Sequence, residues 1–96
     1  MRRRWEESIP EFTERAQFSY DRLSPQTKLT VDRILESMVL RGIRSIKANK
    51  IKGFEQLYIA RVSNSLRIIF RYEDDVFTIL DIVTHDQLRR LNQFYS

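Results

Sequence analysis

Three closely spaced apolar runs constrain this chain more than any other feature. Leu57–Val62, Leu66–Tyr72 and Val76–Thr84 are rich in β-branched and aromatic residues, and Ser63-Asn64-Ser65 and Glu73-Asp74-Asp75 separate them. Such runs broken by small polar residues read as short strands joined by tight turns, so the centre of the chain is an antiparallel meander. Side chains alternate between faces along a strand, and turn length therefore sets every cross-strand pair. With three loop residues at each turn, Val62 faces Leu66 and Tyr72 faces Val76. One face then carries Tyr58, Ala60, Val62, Leu66, Ile68, Phe70, Leu80 and Ile82. The other pairs Arg61 with Arg67, Arg67 with Asp81, and Arg71 with Phe77, among Ile59, Ile69 and Ile79. A two-residue turn at either place would move those partners to the opposite face.

The flanking segments supply cover for one face of such a sheet. Thr13 is placed to cap a helix with Glu14 in its first turn, and Phe12, Ala16, Tyr20 and Leu23 recur at helical spacing. Ser24 and Pro25 open a second helix with the apolar stripe Val31, Ile34, Leu35 and Met38, closed by Gly42. The two form a hairpin that covers the apolar face and leaves the arginine-bearing face open. Ahead of them, an edge strand ends near Phe12 after Pro10, and residues 1–8 form a frayed basic tip. Residues 43–53 read as a basic loop with Arg44, Lys47, Lys50 and Lys52, and the segment from Asp86 to Tyr95 as a short helix with Leu88 and Leu91 turned inward. The expected fold is one α+β domain spanning residues 1–96, a helical hairpin on a small, curved, mainly antiparallel sheet.

Composition narrows the chemistry. Cysteine is absent and histidine occurs once, which excludes disulfides and thiolate catalysis and leaves little for a metal centre. No cofactor is expected. The net charge of +4 comes mostly from arginine, whose planar fork suits phosphate, so a polyanion or an acidic protein is the expected partner. No apolar run approaches the ~20 residues of a membrane span, which predicts a cytoplasmic protein without membrane association.

The order of these pieces resembles a known family. A helical hairpin, Asn49-Lys-Ile-Lys-Gly53, Leu57-Tyr-Ile-Ala-Arg-Val62, Leu66-Arg-Ile-Ile-Phe-Arg-Tyr72 and a last strand ending Thr84-His85-Asp86-Gln-Leu88 is similar to the RelE/ParE superfamily of toxins from toxin-antitoxin modules. The resemblance implies a RelE-like fold and a ribosome-dependent, metal-independent endoribonuclease (an mRNA interferase) that inhibits translation. Its partners would be the ribosome, mRNA and a cognate antitoxin. It also implies roles: Arg67 at the scissile phosphate, Arg61 as a neighbouring cation, and His85 as acid or base. With such a substrate, the charge of Lys50, Lys52, Arg71 and Arg89 makes them the expected RNA-binding residues. Ile59 stands where the family often has a second basic residue, and Arg89 where an aromatic is common. Asp81 stands where some members carry an arginine, and the expected register sets it against Arg67. Two alternatives stay open: a ParE-type toxin that inhibits DNA gyrase, and a degenerate member that acts only through interaction.

Overall fold

The computed structural model describes residues 10–95, with side chains through Arg90, and its elements follow from local chemistry. Strand β1 (Glu11–Phe12) leads into helix α1 (Glu14–Asp21), whose cap Thr13 accepts a hydrogen bond from the Ala16 N–H at 3.1 Å. Helix α2 (Pro25–Arg41) starts with Ser24 accepting from the Thr27 N–H at 3.2 Å, followed by proline at the first helical position. It ends at Gly42, whose φ of 88° lies in the left-handed region that glycine adopts without a Cβ clash. A short 3-10 turn (Ile43–Ser45) follows, then β2 (Ala48–Lys50), β3 (Leu57–Arg61), β4 (Leu66–Glu73), β5 (Val76–Thr84) and α3 (His85–Tyr95).

The strands form one sheet in the order β1-β5-β4-β3-β2, in which only the β1–β5 pair is parallel. The helical hairpin covers one face, as its stripes require. Ala16, Val31, Leu35 and Met38 meet Ala60, Ile68, Phe70, Phe77, Ile79 and Ile82 in a single buried cluster. Phe70 lies at its centre, with the Tyr58 ring stacked at 5.4 Å and Phe77 at 5.9 Å. The expected stripe on α2 is thus the core, with Ile34 half-buried at its margin.

Residues 43–53 are more ordered than a basic loop: Ala48, Asn49 and Lys50 pair with Ala60, Ile59 and Tyr58 as an edge strand. The first meander turn has three residues, and Arg61 faces Arg67 as expected. The second turn does not. Glu73 faces Val76 and Tyr72 faces Phe77, leaving a two-residue turn whose central residues, Asp74 and Asp75, have φ of 51° and 62°. Aspartate tolerates this left-handed backbone, which a two-residue hairpin turn of the primed type needs at both positions.

This correction propagates. Phe77 and Ile79 belong to the core face, not the arginine face, while Leu80 is only half-buried. A β-bulge between Ile69 and Phe70 then shifts the register by one, so Ile82 returns to the core and Arg67 faces Val83. Arg67 is therefore not opposite Asp81, and Arg71 is opposite Thr78 and not Phe77. The expected inward turn of Leu88 agrees with its half-buried state, whereas Leu91 and the basic tip lie outside the described side chains.

Candidate functional site

The arginine face lies opposite the buried face, because Arg61 and Arg67 alternate along their strands with the fully buried Ala60 and Ile68. Just beyond them the Val62 N–H donates to the Leu66 carbonyl at 3.0 Å, and the Arg61 N–H donates the other way, to Lys47. Arg61 and Arg67 thus form a non-hydrogen-bonded pair, the class in which facing side chains come closest, with Cα atoms about 4.5 Å apart. Like charges so placed repel each other unless an anion lies between them.

Both guanidinium groups fold back on the Ser63-Asn64-Ser65 turn. Arg61 donates to the Asn64 side-chain oxygen, and Arg67 donates to the Ser63 carbonyl and, at 3.0 Å, to the Leu66 carbonyl. These acceptors are neutral. Among the described residues neither arginine has a carboxylate partner, so both keep their full charge toward an incoming ligand.

Asp81 is engaged elsewhere. Its Oδ1 accepts from the Ser19 hydroxyl and from the Ile82 N–H, each at 2.8 Å, and its Oδ2 lies 3.8 Å from Arg15 Nε on α1. Asp81 is therefore not set directly against Arg67, as the expected register had it, and its ion pair is with Arg15.

His85 stands at the first position of α3. Its N–H donates to the Ser65 carbonyl at 2.8 Å, which extends the β4–β5 ladder one step past Thr84. Since Arg67 faces Val83, His85 is its diagonal neighbour two residues on, a relationship that spaces Cα atoms by about 7–8 Å. A capping box holds this corner: the Thr84 hydroxyl accepts from the Gln87 N–H at 3.1 Å, and the Gln87 side chain accepts from the Thr84 N–H at 2.8 Å. Thr84-x-x-Gln87 is a sequence-level helix start that the expectation of a helix from Asp86 overlooked. The exposed imidazole therefore sits on a fixed backbone at the arginine end of the sheet.

The other candidates are spread out. Arg71 is exposed on the arginine face, four residues or about 13 Å along β4 from Arg67, and faces Leu57 and Thr78. Lys50 pairs with Tyr58 on the edge strand, and Lys52 lies in the following turn; Leu57, next to that turn, is four residues or about 13 Å along β3 from Arg61. Arg89 makes an exposed ion pair with Asp86 at 2.9 Å, a contact worth little energetically. Arg61, Arg67 and His85 thus come together, whereas Arg71 lies at the far end of the same face, opposite Leu57, and Lys50 shares the opposite face with Tyr58.

Among the described residues no cluster of three or more histidine or acidic side chains could hold a metal ion. No helix there is long and apolar enough to cross a membrane.

Comparison with solved structures agrees with this architecture. The RelB-RelE antitoxin-toxin complex from Methanococcus jannaschii matches at a TM-score of 0.72 and 16% identity, over 84% of this chain and 96% of that one. The YoeB dimer from Staphylococcus aureus matches at 0.70 and 18% identity, over 81% and 98%. The isolated E. coli RelE toxin matches at 0.67 and 17% identity, over 91% and 98%. No family model and no curated protein matches the sequence. The chain has the RelE-like α+β fold.

Proposed function

We propose that this chain is the toxin of a toxin-antitoxin module and that it cleaves mRNA on the ribosome. The observation that carries the proposal is the Arg61–Arg67 pair: two cations on facing strands, without a carboxylate between them, next to the backbone corner that bears His85. A phosphodiester is the ligand that such a pair suits.

In this reading a ribose 2′-hydroxyl of the message attacks the adjacent phosphorus. The 2′-proton passes to a base, the new O–P bond forms, and the bond from phosphorus to the 5′-oxygen breaks as that oxygen gains a proton. Arg67 and Arg61 stabilise the negative charge that builds on the phosphoryl oxygens, and His85 serves as the acid or base. Each part is of familiar size: removing one stabilising donor costs about 10²- to 10³-fold, and removing a general acid or base about 10²- to 10⁴-fold.

The similarity to RelB-RelE and RelBE complexes supports a protein antitoxin as the natural partner. An acidic, amphipathic segment would cover the basic face and lie along the hairpin, where Leu29 and Leu40 on α2 are about half exposed. The half-buried Ile59, in place of a second cation, favours one competing reading, a member that binds its partner and cleaves nothing. Primer extension on a reporter messenger, after induction of the wild type and of Arg67→Ala, separates the two.

A further inference from the structure

Helix α2 buries Val31, Leu35 and Met38 against the sheet, and the side directly opposite them carries Leu29, Arg33, Glu36 and Leu40 within an arc of roughly 60°. Leu29 is 49% and Leu40 48% exposed, and Arg33 between them is exposed as well. Arg33 and Glu36 lie one turn apart, yet among the described residues neither has an ion-pair partner. A shallow cleft of about 200 Å³ runs along this side, lined by Arg33, Glu36, Ser37, Leu40 and Arg41.

The order of these residues is its own complement. A two-fold axis crossing α2 between Ile34 and Leu35 sets Leu29 against Leu40 of an antiparallel second copy, and the same axis sets Arg33 against Glu36. Each pair then occurs twice: the leucines, about 16 Å apart along the helix, close the two ends, and four charges of alternating sign lie between them. An axis at Arg33 or at Glu36 would oppose like charges, so the register is specified as well as the face. We propose that two copies of this chain pair through α2, antiparallel, with Leu29 of each seated in the cleft beside Leu40 of the other. The hairpin lies between this stripe and the sheet, so the pairing leaves the Arg61–Arg67 face of both copies open. The inference does not depend on RNA cleavage. The antitoxin segment in the reading above uses the same leucines, so the two partners exclude each other and the dimer is the state of the antitoxin-free chain.

Sedimentation equilibrium of the purified chain alone, at about 1–300 µM, tests the pairing, with circular dichroism confirming that each variant is folded. One helix pair is a small interface, and the wild type should dimerise with a dissociation constant in roughly the micromolar range. Arg33→Glu and Glu36→Arg each oppose like charges across the axis and should weaken the dimer about a hundredfold or more. The double variant Arg33→Glu/Glu36→Arg restores both pairs with their signs exchanged and should dimerise again. Because the chain has no cysteine, the register is read separately by a short bismaleimide cross-linker: a mixture of Leu29→Cys and Leu40→Cys proteins should link far more than either protein alone. A wild type that stays monomeric at the highest concentration overturns the proposal and leaves the face to a different partner. A dimer that survives both single reversals, or that the double variant fails to restore, overturns the pairing through α2, whatever the outcome of the cleavage assay.

Discussion

The Ser19 hydroxyl donates to Oδ1 of Asp81 at 2.8 Å, and this bond draws the carboxylate toward α1 and away from Arg67. Asp81 follows the β5 bulge, its side chain is 19% exposed, and its Oδ1 also accepts from the Ile82 N–H. Ser19→Ala removes one charge-assisted bond from this site and should destabilise the fold by about 1–3 kcal/mol in urea unfolding. Activity at the arginine face should persist, since Arg67 still faces Val83. An unchanged unfolding midpoint would show that the bond contributes nothing.

Arg61 and Arg67 place like charges directly across two strands. Replacing Arg67 by Ala relieves that repulsion while it removes a phosphate ligand, so stability should hold or rise by roughly 0.2–1 kcal/mol even as activity falls about 10²- to 10³-fold. Inorganic phosphate should raise the melting temperature of the wild type and have a much smaller effect on Arg67→Ala. Equal phosphate effects on the two proteins would place the anion elsewhere.

The capping box of Thr84 and Gln87 fixes the start of α3 and with it the backbone of His85. Thr84→Ala should cost about 0.5–2 kcal/mol of stability. It should also lower activity further than an exposed methyl-for-hydroxyl change elsewhere, and Thr84→Ser should restore both. A stability loss with full activity would mean that His85 needs no fixed position.

The turn at Asp74 and Asp75 holds two non-glycine residues at positive φ. Asp74→Val places a β-branched side chain there and should destabilise the hairpin by about 1–2 kcal/mol, while Asp74→Gly should be neutral or stabilising. If valine is tolerated, the turn is not the two-residue type and the register of β5 needs revision.

The parts of the fold that could be read from the sequence are those in which local chemistry and burial point the same way. Thr13, Ser24-Pro25 and Gly42 mark the helical hairpin, and the α2 stripe faces the core because no other arrangement buries it. The Arg61–Arg67 pair was legible because Ser63-Asn64-Ser65 makes a three-residue turn. Glu73-Asp74-Asp75 looks similar in composition, but aspartate can also adopt left-handed backbone, so two turn lengths were open and the shorter one forms. The bulge that then restores Ile82 to the core leaves no local signature, and neither does β2, whose Ala48, Asn49 and Lys50 are extended through pairing with β3 and not by propensity. Asp81 consequently could not be assigned to Ser19 from spacing alone, since that contact joins residues 62 positions apart.

Primer extension on a reporter messenger, translated in a reconstituted system with and without the purified protein, tests the proposed activity most directly. The wild type should produce new 5′ ends only within translated codons, none when initiation is blocked, and almost none with Arg67→Ala or His85→Ala at equal folded concentration. Intact messenger with the wild type, or unchanged cleavage by both variants, would contradict the assignment of the arginine face as the site that cuts RNA.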